Sequence, residues 1–286
     1  IWNMFKSENG SMAVYVTVVL LTMLLLITAV FFLSSSARKI QLQTAIQVKQ
    51  TYEADNSKAA EIYDRLTGND SNTPTYVSDG LILHYDAINN TGNGHSNNTT
   101  TWKDLSGNGN DGIVTGGNWG DSYLRFTSST EQNGVKTNRN FPIDFSNTFN
   151  IVFKLSSVNS VEALFGSRTS VSDGMMLFNY STNDNLSLDT KGSNTRIALG
   201  DRLSANTIYD ISITFSGTTC KLYVNGQLTN TETFTDATIN FPLTVFTAGT
   251  RSNSLGDIYS VKVYNRALTD AEIQQNHNID SQTYKF

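Results

Sequence analysis

The sequence predicts a mainly β protein in which a sandwich of two antiparallel sheets follows a long N-terminal α-helix. Three observations predict this fold class. Residues 12–33 form an apolar run without charge, Pro or Gly, and residues 34–67 continue without Pro or Gly and are rich in helix-forming side chains. From residue 80 onward, short runs rich in Val, Ile, Tyr, Phe and Thr alternate with clusters of Gly, Asn, Asp and Ser, as in β-sandwiches.

The N-terminal apolar run is long enough to cross a membrane. After the flank 1–11, it extends over the 22 positions from Met12 to Leu33. At about 1.5 Å per residue, a helix of this length spans the roughly 30 Å hydrocarbon layer of a bilayer. A buried core helix and a cleavable secretory signal are the alternatives, but the apolar core of a signal is only about 7–15 residues long. We therefore predict a retained transmembrane helix over 12–33, in contact with the lipid bilayer.

The next segment, 34–67, is predicted to be an amphipathic helical stalk. Its apolar residues recur at spacings of three and four positions between Ile40 and Leu66 and form one narrow stripe. Gly68 ends the helix. The polar segment 68–78 is predicted to be a linker, and residues 79–286 are assigned to the sandwich.

The strand signals of the sandwich are short apolar or alternating runs between turns. They are residues 81–88, 122–128, 149–157, 174–181, 209–217, 221–228 and 258–265. Asn225-Gly226 predicts a type I′ hairpin turn, and Trp102 is predicted to be a core residue. Thr269 followed by Glu272 predicts a capping box at the start of a C-terminal helix.

The charge and the cysteine content exclude several classes of function. The chain has 20 Lys and Arg against 25 Asp and Glu, a net charge of −5, and no basic block, so we predict no nucleic-acid partner. Its single cysteine, Cys220, excludes an intrachain disulfide, a cysteine-based zinc cluster and an iron–sulfur site.

The sequence carries no catalytic motif of the hydrolase classes. The three histidines, His84, His95 and His277, lie far apart, and no GxSxG nucleophile motif occurs. Glycoside hydrolases need two carboxylates that flank the scissile bond, whereas the glutamates of the predicted sandwich are scattered. We expect that the protein is not an enzyme, and a cell-surface glycoside hydrolase is the alternative.

Four motifs, in order along the chain, resemble the concanavalin A-like, laminin-G-like jelly roll. They are Gly80–Asp86, Trp102–Gly112, Lys221–Leu228 and Ile258–Ile273, and the resemblance covers residues 79–281. It implies a jelly-roll sandwich, a fold that supports many unrelated binding roles. Because calcium sites occur in parts of this broad family, the resemblance also makes calcium the candidate cofactor.

The residues before the apolar run resemble the N-terminus of type IV pilins and pseudopilins. In that family a peptidase cleaves after a glycine that precedes the apolar helix, and the helices form the core of a filament. The resemblance implies cleavage between Gly10 and Ser11 and contact with identical or related pilin subunits through the N-terminal helix. The family usually has a glutamate five residues after the cleavage point, and that position is Tyr15 here.

The candidate site residues lie in and near Gly-rich turns. Asp104, Asn108 and Asp111 carry oxygen atoms of the kind that Ca²⁺ prefers, but such residues equally stabilise turns by bonding to their own backbone, so both interpretations stay open. Trp119 and Tyr123 are the candidate ligand-binding residues because sugar rings stack on exposed aromatic rings. Trp119 alternatively covers an edge of the sandwich.

The order of anchor, stalk, linker and sandwich predicts a bacterial surface protein. We expect it at the cell surface, anchored in the membrane with its C-terminal domain extracellular, or in an extracellular filament. Its laminin-G-like domain is then presented for adhesion to a glycan or an extracellular matrix protein. The alternative is a structural, pilin-like filament subunit whose sandwich is a decoration.

The pilin-like start generates a prediction about processing. If a peptidase cuts after Gly10, N-terminal mass spectrometry of the protein purified from its native cells will find a mature end at Ser11, and electron microscopy of sheared material will find it in filaments. A chain that still carries the residues before Ser11 and occurs only in the membrane fraction would contradict filament assembly.

Overall fold

The chain divides into two units, with the boundary between Thr73 and Pro74. The structure is a computed structural model, and it describes residues 15–28, 74–128, 133–143, 146–158, 161–167, 174–180, 185–189, 196–198, 203–233, 239–247 and 254–286. The predicted flank 1–11, the stalk 34–67, and the residues Gly10 and Ser11 lie outside this part of the chain.

The first unit contains a helix, α1, over residues 15–28. All of its large apolar side chains except the half-buried Val19 are exposed, from 48% at Val16 to 71% at Tyr15. The hydroxyls of Thr22 and Thr28 donate hydrogen bonds to helix carbonyls three residues earlier, which removes the cost of placing them in an apolar helix. The structure supports the predicted N-terminal helix over residues 15–28, and the rest of its predicted length lies outside the described residues. None of the helices in the described part of the chain has the length and apolar character needed to span a membrane.

The second unit is a sandwich of two eight-stranded sheets. Sheet A has the strand order β14-β13-β12-β7-β16-β5-β4, and β1 also pairs with β16. Its strands are β1 (Leu81–Asp86), β4 (Asn118–Gly120), β5 (Tyr123–Phe126), β7 (Thr148–Leu155), β12 (Ile208–Ser216), β13 (Thr219–Val224), β14 (Gln227–Thr233) and β16 (Gly256–Tyr264).

Sheet B has the strand order β11-β10-β9-β8-β15-β6-β3-β2. Its strands are β2 (Thr101–Trp102), β3 (Gly112–Thr115), β6 (Gly134–Ile143), β8 (Glu162–Ser167), β9 (Met175–Tyr180), β10 (Asn185–Asp189), β11 (Arg196–Ala198) and β15 (Ile239–Val245). The neighbouring strands of both sheets pair antiparallel. The chain passes repeatedly from one sheet to the other, which confirms the predicted mainly β sandwich and is consistent with a jelly roll.

The core lies between the inner faces of the two sheets. Alternate residues of each central strand point into it, as the period of two in a strand requires; on β12 these are Ile211, Ile213 and Phe215, all with 0% exposure. Trp102 is also fully buried in this core and stacks on Tyr85 at 5.2 Å. The predicted core position of Trp102 is therefore confirmed.

Two local signals of the sequence form the structures that they predict. Asn225 and Gly226 have φ values of 50° and 76° between β13 and β14, and a type I′ turn needs positive φ at both positions. Thr269 caps the helix α2 (Asp270–Tyr284), and it forms a capping box with Glu272. Both signals act through backbone hydrogen bonding within a few residues, so they do not depend on the rest of the fold.

Helix α2 covers the outer face of sheet A through a buried polar layer. Lys262 on β16 and Asp280 on α2 are both 0% exposed, and Lys262 Nζ lies 2.8 Å from each carboxylate oxygen of Asp280. Lys262 Nζ also donates to Ser260 Oγ at 2.9 Å, and it lies 4.3 Å from the centre of the Tyr76 ring. The layer thus pairs the buried ammonium group with an anion, a hydroxyl and an aromatic face.

The residues just before β1 pack against α2. The Tyr76 hydroxyl donates to Asp280 Oδ1 at 2.9 Å, and the backbone N–H of Val77 donates to Asn276 Oδ1 at 3.0 Å. Residues 74–78, which end the predicted linker 68–78, are therefore part of the sandwich unit.

The buried ion pair generates the first stability prediction. Lys262→Met will lower the free energy of unfolding by about 3–5 kcal/mol, because it leaves Asp280 as an unpaired buried charge. Urea unfolding of the full chain measures the change.

The matched control is Lys103→Met, which breaks the pair that the half-exposed Lys103 forms with Asp111 at 3.0 Å. We expect this variant to change the free energy of unfolding by less than about 1 kcal/mol. The double change Lys262→Met with Asp280→Leu will recover part of the loss; equal costs for the two lysine variants would contradict the prediction.

The capping box generates a prediction about pH. Hydrogen bonds from Arg266 and Thr269 lower the pKa of Glu272 from 4.5 to about 2. Burial acts in the opposite direction but is outweighed. A carboxyl group whose pKa is lower in the folded state stabilises the fold above its unfolded pKa, and this contribution is lost as the pH falls towards the folded value. Glu272→Gln will therefore lower the free energy of unfolding at pH 7 by about 1–2 kcal/mol. Denaturation curves will show this difference shrinking as the pH falls from 4.5 towards 2, whereas a difference that is independent of pH would refute the assignment.

Candidate functional site

Asp104, the first predicted calcium ligand, lies in the loop between β2 and β3. Its Oδ1 accepts hydrogen bonds from the backbone N–H groups of His84 at 3.0 Å and Ser106 at 2.9 Å. Its Oδ2 accepts from the backbone N–H of Asn110 at 2.9 Å. Asp104 is 3% exposed, and its carboxylate connects the backbone at His84, Ser106 and Asn110.

Asp111 and Asn108 belong to the same loop but face different partners. Asp111 Oδ1 accepts from the backbone N–H of Asp104 at 3.0 Å, and its Oδ2 lies 3.0 Å from Lys103 Nζ. Asn108 Nδ2 donates to the carbonyl of Leu81 at 3.2 Å. Within the described ranges, no group of three or more His, Cys, Asp and Glu side chains is arranged to hold a metal ion. Calcium binding at these residues stays a prediction.

Trp119, the first candidate ligand-binding residue, lies on β4 and is half-buried. Its ring packs edge-to-face on Trp102 with 5.0 Å between the centroids, and its Nε1 donates to the carbonyl of Thr99 at 2.7 Å. Trp119 pairs across the strands with Leu124, which is fully buried in the core. The Trp119 ring therefore lies on the inner side of sheet A and seals an edge of the sandwich.

Tyr123, the second candidate, lies on the opposite face of the sheet. It precedes Leu124 on β5, and successive residues of a strand point to opposite faces. Its half-buried ring packs beside Tyr259, with 6.2 Å between the centroids, on the outer face of sheet A. The structure thus does not bring Trp119 and Tyr123 together into one surface.

Arg125 lies over the ring of Tyr123, and Asp257 connects Arg125 to Lys154. The guanidinium carbon of Arg125 lies 4.4 Å from the ring centroid. Arg125 Nε and Nη2 donate to the two oxygens of Asp257 at 2.6 and 2.9 Å, and Lys154 Nζ lies 2.7 Å from Asp257 Oδ2. We call Tyr123, Arg125, Lys154 and Asp257 the Tyr123 patch.

Strand register produces the Tyr123 patch. Asp257 on β16 is paired with Arg125 on β5 to one side and with Lys154 on β7 to the other. The three side chains therefore form one row on the outer face, and the 1% exposed Asp257 lies between two partly exposed cations. Cross-strand neighbours of opposite charge attract each other, so a row with the anion between the two cations is stable.

The ionisation of the patch follows from these contacts. Burial alone would raise the pKa of Asp257, but the hydrogen bonds and charges of Arg125 and Lys154 hold that pKa below its usual value. Hydrogen bonding to Asp257 correspondingly raises the pKa of Lys154 and of Arg125. All three groups are charged at neutral pH.

Sequence reasoning proposed Tyr123 as a candidate and did not include the charged row of Arg125, Asp257 and Lys154. Arg125 alternates with Tyr123 on one strand, which is a visible signal that the two share a face. Lys154 and Asp257 join them only through the order of strands in sheet A, and no spacing along the chain indicates that order.

The patch can hold a ligand but is poorly suited to proton transfer. It offers a partly exposed aromatic ring with the guanidinium of Arg125 over it, the outer N–H groups of that guanidinium, and an ammonium group. Both oxygens of Asp257 accept bonds from Arg125 and Lys154. A general acid or base must reach the reacting group, and Asp257 is buried under its own partners.

Solved structures share this fold at low sequence identity. A sialidase of Trypanosoma rangeli matches with a TM-score of 0.54 and 16% identity over 71% of this chain and 33% of its own. The binding domain of Paraclostridial Mosquitocidal Protein 1 matches with 0.55 and 19% over 71% of this chain and 53% of its own. Domain 4 of AbnA, a GH43 extracellular arabinanase from Geobacillus stearothermophilus in complex with arabinotriose, matches with 0.52 and 17% over 69% of this chain and 98% of its own.

These similarities show the fold alone. The chain spans 33% of the length of the sialidase that it matches, but nearly all of the arabinanase domain, 98%, is covered. No curated protein sequence matches the chain.

A protein-family model gives the assignment that the structures alone do not. The model of the concanavalin A-like lectin/glucanases superfamily, in its laminin-G form, matches residues 120–274. This range is 155 of the 286 residues (274 − 120 + 1), more than half of the chain, and it contains the whole Tyr123 patch. The chain belongs to the concanavalin A-like lectin/glucanases superfamily.

Proposed function

We propose that the Pro74–Phe286 unit is a glycan-binding module and that the Tyr123 patch is its contact surface. One observation carries this proposal: a partly exposed aromatic ring lies beside the oriented guanidinium of Arg125 on the outer face of sheet A, and Asp257 joins this cation to a second one, Lys154. The apolar face of a sugar ring packs on an aromatic ring, and its hydroxyls accept bonds from nearby donors. Buried Asp257 fixes both donors before a ligand arrives, which lowers the entropy cost of binding.

Family membership and the structural neighbours support a carbohydrate ligand. The superfamily is described as lectins and glucanases, and the arabinanase domain with similar fold was solved with arabinotriose. Matrix-protein recognition is the second form of adhesion that the sandwich surface would serve. The engaged, buried carboxylate of Asp257 favours binding over hydrolysis at this surface, so we propose a protein that is not an enzyme.

The apolar N-terminal segment supports presentation at the cell surface. In α1, ten of the eleven large apolar side chains from Tyr15 to Ile27 are 48–71% exposed, and they lie on all sides of the helix. A helix that is apolar all round needs an apolar environment. We propose that lipid, or the same helix of identical or related pilin-like subunits, provides it, so that the sandwich is displayed for adhesion on an anchored chain or in a filament.

The proposed contact surface generates a binding prediction. Tyr123→Ala will weaken glycan binding at least about tenfold, or 1.4 kcal/mol, because it removes the aromatic face. A glycan array with the full chain identifies the ligand, and isothermal titration with that ligand measures the affinity. Tyr123→Phe keeps the ring and will bind within about threefold of the unchanged protein.

The control variant separates the two aromatic candidates. Trp119→Phe alters the ring that packs on Trp102, on the inner side of sheet A, and it will leave glycan affinity unchanged. Circular dichroism spectra and thermal unfolding establish that all variants are folded. An array without any bound glycan, or a Tyr123→Ala variant with full affinity, would refute the proposed contact surface.

A further inference from the structure

The two cations of the Tyr123 patch share a single carboxylate. Arg125 Nη2 and Lys154 Nζ both lie next to Asp257 Oδ2, at 2.9 and 2.7 Å. The two nitrogen atoms are therefore at most 5.6 Å apart (2.9 + 2.7). Two positive charges at this distance against one negative charge leave a net charge of +1 in the patch, and the cations repel each other.

No second acid completes the charge balance within the described part of the chain. The side chains that shift the pKa of Arg125 are Asp257, Tyr123 and Tyr259, and those that shift the pKa of Lys154 are Asp257 and Tyr259. Neither tyrosine is a carboxylic acid, so neither supplies the missing negative charge. The patch is thus a local positive surface on a chain with a net charge of −5.

The geometry directs the unused donors of the two cations away from Asp257. The carboxylate is 1% exposed and lies beneath the row, whereas the side chains of Arg125 and Lys154 are 42% and 25% exposed. Asp257 takes up Nε and Nη2 of the guanidinium, so Nη1 lies on the far edge, and no acceptor for it occurs among the described residues. An ammonium group has three N–H donors; on Lys154 one faces Asp257 Oδ2 and one the Tyr259 hydroxyl, which leaves one for a ligand.

We propose that Arg125 and Lys154 bind the anionic group of an acidic sugar, a carboxylate or a sulfate, while Tyr123 supports the ring of that sugar. The inference rests on the proposed glycan-binding function and adds the class of glycan. A planar guanidinium with a free edge and an ammonium group nearby match the oxygens of a carboxylate or sulfate. The bound anion brings the local charge from +1 to zero.

A variant of Lys154 tests the charge argument without unpairing Asp257. Lys154→Met leaves Arg125 and Asp257 as a neutral bidentate pair, so the fold keeps its buried carboxylate satisfied and the patch loses its net charge. The matched control is Lys136→Met, because Lys136 is an exposed lysine on β6 of sheet B. Both variants change the charge of the whole chain by the same amount, but only one changes the patch.

Matched ligands separate the two anionic groups. The probes are an oligogalacturonate and its fully methyl-esterified form, which differ by the carboxylate charge, and a sulfated and an unsulfated dextran oligosaccharide of equal length. Isothermal titration with the full chain, held in a non-ionic detergent, measures each affinity at low and at high salt. We expect at least one charged probe to bind at least tenfold more tightly than its uncharged partner, with a preference that weakens as salt is added.

The variants then decide the outcome. We expect Lys154→Met to lose this preference and Lys136→Met to keep it. Equal affinities for charged and uncharged probes, or a preference that survives Lys154→Met, overturn the acidic-sugar inference. If neither charged probe binds but a neutral glycan on the array does, the inference fails while the proposed function stands, and if no glycan of any kind binds, both fail.

Discussion

The buried ion pair between Lys262 and Asp280 is the interaction on which the outer face of sheet A depends. All nine residues of β16 are buried, so a lysine in this strand requires an anion that also lies out of water. Helix α2 supplies the anion near its C-terminal end, and the capping box at Thr269 fixes where the helix begins. The position of α2 is thereby set at both ends, by a charge pair and by a cap.

The same strand that anchors the helix also places the Tyr123 patch. Near its end, α2 covers β16 as far as Tyr259, whose ring lies 5.5 Å from that of Tyr284. Asp257, two residues earlier on β16, is joined to Arg125 and Lys154 instead of to the helix. One strand thus carries two buried charge pairings, a closed one under the helix and an open one with partly exposed cations. The open pairing has the excess positive charge, and the proposed contact surface therefore includes it.

The sequence predicts sheet A far better than sheet B. Six of the seven predicted runs fall on strands of sheet A, and only 174–181 falls on sheet B, at β9. The strands of sheet A carry regular alternation, as in β12. In sheet B, β6 and β15 contain Pro142 and Pro242, and the register shifts between Pro242 and Thr244. Proline and irregular pairing weaken the strand signal although tertiary contacts form the sheet.

The candidate site shows the same division between local and long-range information. The Gly-rich turns near Tyr123 make this residue a candidate from the sequence alone. The turn-stabilising interpretation of Asp104 and Asp111 also depends on residues close in sequence, such as the Ser106 N–H that donates to Asp104. The row of Arg125, Asp257 and Lys154 depends on strand pairing between distant segments.

The net charge of the whole chain is misleading for a related reason. At physiological ionic strength the Debye length is about 8 Å, so distant acidic groups are screened and the local excess of one positive charge governs what binds. Two cations are few beside the roughly 6–10 phosphate contacts of a typical nucleic-acid interface, whereas they match the single anionic group of the proposed acidic sugar.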